Sequence, residues 1–345
     1  MLEKEKHLLI EKLKEDIPEE FKVAVMPHFC IDNLIQSGES CDSFVEKFRM
    51  IAVQGGGNLV MKQALNRGGK AANCASALSH LGISPYLIAK TDLPGYKLLE
   101  HFFEGTEVEL SHVKRDGELA FTTAIELEGV NVMLSCPGSL CQFGPEYLTD
   151  RDEDLIKESD IVCISDWGLN EKGTELASHV FSLVKKKGKG KTFFDPGDPS
   201  PRKEKEEEEV EKMKDMLRRG LVDILSVNEN EVTRYGGIEF LRNVTKVDLH
   251  TEAYVKTFHL DKETEEIPAF SVEPERLTGA GDAWMAGDIL GEAMGLDDRS
   301  RLMLANAVAA FYISDPAGRH PEAQDLINFL RYALQVRWKP GHSVE

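Results

Sequence analysis

The chain has 345 residues, 41% hydrophobic and 29% charged, with a formal net charge of −19. That length and apolar content can close one large core, while the charge excludes the broad basic face of a nucleic-acid binder. No apolar run approaches the ~18 residues that a membrane helix needs. Anionic ligands stay open, because helix N-termini and a few cations can hold phosphate inside an acidic protein.

Residues 1–20 are charged throughout and lack an apolar signal core, so a cytoplasmic location is expected. Leu2, Leu8, Leu9 and Leu13 fall near one helical face, which predicts an N-terminal amphipathic helix packed on a body spanning 21–338. Within that body, apolar runs at 21–27, 84–91, 160–165, 191–196, 223–228 and 246–251 read as buried strands. Helical patterns at 70–82 and 172–188 lie between them. The alternation predicts an α/β fold, with a central, mostly parallel sheet covered by helices on both faces. Residues 41–63 and 118–135 read as further strands, forming a small β lid. The charge-dense run 201–219 reads as a solvated helix with i,i+4 pairs.

The six cysteines, Cys30, Cys41, Cys74, Cys136, Cys141 and Cys163, are scattered. They read as free, mostly buried thiols. Cys136 and Cys141 are too far apart for a CxxC knuckle, so no metal is assigned to cysteine. Lys187–Thr192 ends like a phosphate-binding loop, but the leading glycine is absent and the segment precedes a strand; it reads as a basic turn. No GxGxxG opens the first strand–helix unit, which argues against a dinucleotide dehydrogenase.

Two segments carry chemistry. Thr278-Gly279-Ala280-Gly281-Asp282 precedes an apolar helical pattern. Gly279, Ala280 and Gly281 allow a tight turn whose N–H groups converge at a helix start, suited to a phosphate. Asp282, in the first helical turn, can take a proton from an attacking hydroxyl. Gly68-Gly69-Lys70-Ala71-Ala72-Asn73 opens a small-residue helix, with Lys70 and Asn73 three apart and able to reach the same side of its start. Asn73 can donate to and accept from sugar hydroxyls.

Together the two segments resemble the ribokinase (PfkB) carbohydrate kinase family, over roughly residues 20–335. The resemblance implies a ribokinase-like fold and Mg2+-dependent transfer of a phosphoryl group from ATP or ADP to a substrate hydroxyl. It makes Asp282 the base and the 279–281 turn the anion hole. It places Asp32, Gly69 and Asn73 on the sugar, and Asn228 and Glu231 around magnesium through water. Asp195 and Arg202 are similar to the family's Asp-Pro strand end and following arginine, with Arg202 assigned to substrate. Residues 306–319, beginning with Asn306, correspond to its adenine pocket. Glu126 on the lid is assigned to substrate. Arg115 and Lys70 are candidates for a substrate phosphate, with a plain surface charge the competing reading for Arg115. A homodimer paired through the lid is also implied.

Two departures matter. The family usually has Asp-Thr before the glycine turn, where the aspartate helps to bind a monovalent cation; here Arg276 and Leu277 stand there. A guanidinium in place of the ion implies no potassium requirement and puts Arg276 near the nucleotide. The late strand ends His250-Thr251, which is similar to ADP-dependent sugar kinases. That raises ADP as donor and ribose 1-phosphate as acceptor, with His250 and Thr251 on the nucleotide. A nucleoside or inositol kinase on the same fold and a non-catalytic sugar- or nucleotide-binding regulator are the competing readings.

Overall fold

The computed structural model describes residues 2–14, 21–128, 130–276 and 278–333. In chain order the strands are β1 (Val23–Met26), β2 (Cys30–Gln36), β3 (Lys62–Gly68), β4 (Tyr86–Leu87), β5 (Ala89–Lys90), β6 (Val113–Lys114) and β7 (Ala120–Leu127). They continue with β8 (Val130–Cys136), β9 (Ile161–Ser165), β10 (Lys191–Asp195), β11 (Ile224–Val227), β12 (Lys246–His250), β13 (Tyr254–Phe258) and β14 (Ile267–Pro268). Eight form one sheet in the order β14-β13-β12-β11-β10-β9-β1-β4. Pairing is parallel from β4 through β12 and antiparallel at β13 and β14. Five of the six expected runs lie in this sheet, while 84–91 divides between β4 and β5, which pairs with β6 in a separate two-stranded sheet. Both β9 and β11 are buried along their whole length, as strands covered on both faces must be.

On one face pack the helices Lys70–His80, Ala280–Ala293 and Asp298–Ser314, on the other Gly173–Lys187 and Glu206–Arg218. Ala280–Ala293 and Asp298–Ser314 approach backbone to backbone: a Cβ on Gly287 would lie 2.7 Å from Ala305 Cα. Beneath them the buried Arg301 guanidinium is neutralised by Asp248, at 2.9 Å, and by Asp288. On Glu206–Arg218, Lys212 pairs with Glu208 at 2.8 Å, while Val210, Met213 and Leu217 are buried underneath. Residues 187–192 form the turn from helix Gly173–Lys187 into β10.

The expected N-terminal helix spans Leu2–Lys12. Its buried side is Leu9, Ile10 and Leu13, whereas Leu8 is half-exposed, so the packed stripe is rotated away from Leu8. The Leu2 side chain, residues 15–20 and residues 334–338 lie outside the described residues. The lid is a second sheet in the order β3-β2-β7-β8. The hairpin β7–β8 matches the expectation for 118–135, but the expectation for 41–63 fails. Cys41–Val53 is a helix, capped by the Ser40 hydroxyl accepting from Ser43 N at 3.3 Å, and it buries none of its residues. The lid strand of that region is β3. Cys30, Cys74 and Cys163 are buried free thiols, but Cys41 and Cys136 are exposed because both belong to the thin lid.

Candidate active site

Two helix starts face each other over the carboxyl ends of the parallel strands, where open α/β sheets take ligands. The helix Ala280–Ala293 begins at Gly279, whose φ of +88° only glycine adopts readily. Its first intrahelical bond runs from Ala283 N to Gly279 O at 3.0 Å. The amides of Ala280, Gly281 and Asp282 lie ahead of that bond, at the positive end of the helix dipole. The helix Lys70–His80 begins at Gly69, also at positive φ, where a Cβ would lie 2.8 Å from His28 O.

Asp282 is buried and accepts from Asn73 Nδ2 at 2.8 Å. Burial pushes its carboxyl up to about 7, against the opposing pull of Lys70 and the Asn73 hydrogen bond, with Asp166 and Asp195 adding to the rise. A carboxyl so placed is a proton acceptor tuned near neutral pH. Lys70 Nζ meets Asp195 Oδ1 at 2.8 Å. Burial opposes its charge, but Asp195, Glu231, Asp166 and Asp282 outweigh burial and hold the ammonium ion firmly protonated. Asn228, at the end of β11, caps the next helix by accepting from Asn230 N and Glu231 N at 3.0 Å. Glu231 Oε2 in turn accepts from Asn228 N at 3.0 Å. Burial lifts Glu231 to about 7 despite the Lys70 charge.

Among the described residues no three His, Cys, Asp or Glu side chains converge on a metal ion. The donors near the anion turn are the hard oxygens of Glu231 and Asp195, both facing Lys70. They fit a magnesium ion held mainly by nucleotide oxygens, with water between the ion and the protein.

Asp32, on β2, lies against Gly68, where any Cβ would collide with its carboxylate at 2.3 Å; burial raises its pKa. Three residues of this cluster carried no local signal in the sequence. His28 Nδ1 meets Asp166 Oδ2 at 2.5 Å. Burial would discharge the ring, but the Asp166 charge and hydrogen bond prevail, and its pKa rises. Asp166 has a left-handed φ of 55° and accepts from Lys70 N at 3.2 Å. Arg67 stands between Asn73 and His320. Each side chain acquires its partner only through tertiary contact.

Several expected site residues lie elsewhere or are otherwise engaged. Arg202 does not face the cleft: its guanidinium lies 3.8 Å over the Trp167 ring and donates to the carbonyls of Trp167 and Asn170 and to Glu209. Its buried side chain is a strut that joins the segment after β9 to helix Glu206–Arg218. Thr251 spends its hydroxyl inside the β12–β13 turn, donating to Tyr254 O at 2.8 Å. Asn306 accepts from Trp284 Nε1 at 3.1 Å and donates to Pro268 O, so its amide is committed to the core. Glu126 shares a lid face with Asp32 but is four residues farther out, roughly 13 Å at the strand rise. Arg115 covers the Tyr96 ring at 3.7 Å.

His250 does lie beside the turn. Its ring lies 4.8 Å from Trp284 at a tilt of 33° and approaches Gly281, while burial lowers its pKa to about 4 and keeps it neutral. Arg276 donates to Pro316 O at 3.0 Å and fills the space where a Cβ on Gly318 would go. Leu277 is outside the described residues.

The model of the pfkB family carbohydrate kinases matches residues 38–325. A search of curated proteins finds no match. Solved structures of similar fold include the Methanocaldococcus jannaschii nucleoside kinase (TM-score 0.67, 16% identity, 92% of this chain and 99% of that one). The Arabidopsis thaliana ribokinase complexed with ribose and ATP superposes with TM-score 0.69 at 17% identity, covering 90% and 99%. The Sinorhizobium meliloti adenosine kinase superposes with 0.71 at 18%, covering 91% and 99%. With the family signature matched over most of its length, this chain belongs to the pfkB family of carbohydrate kinases.

Proposed function

We propose that the protein transfers the terminal phosphoryl group of a nucleotide to a hydroxyl of a sugar or sugar phosphate, with Asp282 as general base. The observation that carries this reading is the buried Asp282 carboxyl, with a pKa near 7, on the first turn of the helix whose free amides form the anion turn. The acceptor hydroxyl gives its proton to Asp282 as it attacks. The amides of residues 280–282 and Lys70 balance the charge on the transferring group. Asp32 and Asn73 orient the sugar. Asn228 and Glu231 would hold a magnesium ion through water, and the ion would supply positive charge against the donor phosphates.

An anionic acceptor is supported by the buried cations Lys70 and Arg67 beside Asn73 and Asp282. Ribose 1-phosphate with ADP is the combination to try first. Its donor half rests on the His250-Thr251 strand end, of which only His250 stands at the anion turn. Turnover is measured with purified protein, magnesium, ATP or ADP, and free sugars, sugar phosphates, inositol and nucleosides. ADP with ribose 1-phosphate is the expected active pair; turnover only with ATP and an unphosphorylated acceptor would overturn both details. A homodimer through the lid belongs to the same proposal, supported by the exposed apolar residues Leu65, Phe121, Val132 and Leu134. Strand register puts them on the lid face opposite Asp32.

A further inference from the structure

Asn73 lies between two groups of opposite hydrogen-bonding character. On one side its Nδ2 donates to Asp282 Oδ2 at 2.8 Å. On the other its Oδ1 accepts from Arg67 Nε at 3.3 Å. A carboxylate only accepts and a guanidinium only donates, so the amide has a single orientation that satisfies both. Flipped, it would set oxygen against carboxylate and NH2 against guanidinium.

Arg67 is itself fixed. Its NH2 group lies 3.3 Å from His320 Nε2; because arginine cannot accept, that nitrogen must be the acceptor and the ring proton must sit on Nδ1. Nδ1 is buried and has no partner among the described residues. The ring is stacked on Tyr312 at 4.7 Å and 14°, and the Tyr312 hydroxyl fills the space beside Gly279. The guanidinium also lies over the Phe103 ring.

We propose that Arg67 is a positioning residue of the phosphoryl transfer: held by His320, it locks the Asn73 amide so that its NH2 faces Asp282. The inference rests on the reading of Asp282 as base. It adds a chain His320–Arg67–Asn73–Asp282 that ties the 315–320 loop to the reacting carboxylate. Without Arg67 the amide can turn, and Asp282 loses both an oriented donor and a nearby cation. The other charged and titratable groups facing Asp282 are Lys70, Asp166, Asp195, His28 and Tyr312. The buried thiols of Cys74 and Cys163 lie behind it.

The test is a mutant cycle on kcat with a pH profile. Arg67→Ala is expected to lower kcat by about 100-fold, leave the donor KM unchanged and move the acid limb of kcat/KM to higher pH. In an Asn73→Ala background the same change should alter kcat by less than about threefold. A purely structural role would lower stability and kcat equally in both backgrounds, with the limb unmoved, and would overturn the proposal. If Arg67→Ala does not fold, Arg67→Lys carries the same cycle, since its single ammonium group cannot span both partners. Asp282→Asn separates the two claims. If it is inactive while the Arg67 variant leaves kcat and the limb unchanged, the relay falls and the base stands. If it keeps full activity, the base reading falls and takes the relay with it.

Discussion

Burial holds the Asp282 carboxyl at a pKa of about 7, against an ordinary value of 3.8. Catalysis needs the ionised form, so kcat/KM is expected to fall as pH drops through about 7. The same shift has a stability consequence of definite sign. Between 3.8 and about 7 the folded state binds more protons at this site than the unfolded chain, so stability is lost as pH rises through that window. Asp282→Asn is therefore expected to raise the Tm of the ligand-free protein at about pH 8 and to change it little below about pH 4. An unchanged Tm at both would mean that the carboxylate is not strained by burial. Arg276 carries the second residue-scale prediction. Its guanidinium already holds Pro316 O and packs against Gly318, so the rate should be the same with and without potassium; activation by potassium would contradict this. At this scale legibility was uneven. Asp282, Asn73, Lys70, Asn228 and Glu231 could be singled out as candidates because they sit in short contiguous motifs. His28, Asp166 and Arg67 were not, because each matters only through a partner that folding brings from 6 to 253 residues away.

At the scale of elements, the position of the helix that carries Asp282 is set by contact with Asp298–Ser314. At Gly287 the nearest atom to an added Cβ is the Cα of Ala305, at 2.7 Å. A backbone atom cannot step aside as a flexible side chain can. Gly287→Ala is therefore expected to cost about 1–3 kcal/mol by overpacking and to lower kcat by moving the helix that carries Asp282. Denaturant unfolding and turnover check the two effects, and a neutral substitution would show that the helices have slack. The strands of the main sheet were legible because burial on both faces writes an unbroken apolar run, as in Ile161–Ser165. The helix Cys41–Val53 was misread as strand because it buries nothing, so no core contact sharpens its pattern. Its signal was the helical spacing of Phe44, Phe48 and Ile51 after the Ser40 cap. Arg202 misled for the opposite reason: it follows the Asp195-Pro196 segment closely in sequence, yet its guanidinium is engaged by Trp167, Asn170 and Glu209.

For the whole molecule, the large sheet fixes one set of strand ends, and the chain returns to it at Asp32, Gly69, Asp166, Asp195, Asn228, His250 and Gly279. The α/β layering and the location of the site at the strand ends could be inferred from sequence. How the lid meets the body could not, because β3 and β8 are almost entirely exposed and alternate without a core to bury. The lid reaches the anion turn through Asn131, which donates to Thr278 Oγ1 at 3.4 Å. Its outer apolar face predicts a dimer. Light scattering should give twice the 38.5 kDa chain mass, and Leu134→Asp should reduce it to a monomer. A monomeric wild type at assay concentration would contradict that assembly. The central claim is base-assisted phosphoryl transfer at Asp282, and the most direct measurement is nucleotide product formed by wild type and Asp282→Asn with the best acceptor. A loss of roughly 100-fold or more in kcat is expected, with the fold intact and the nucleotide still bound. A variant that folds and keeps activity within about tenfold of wild type would contradict it.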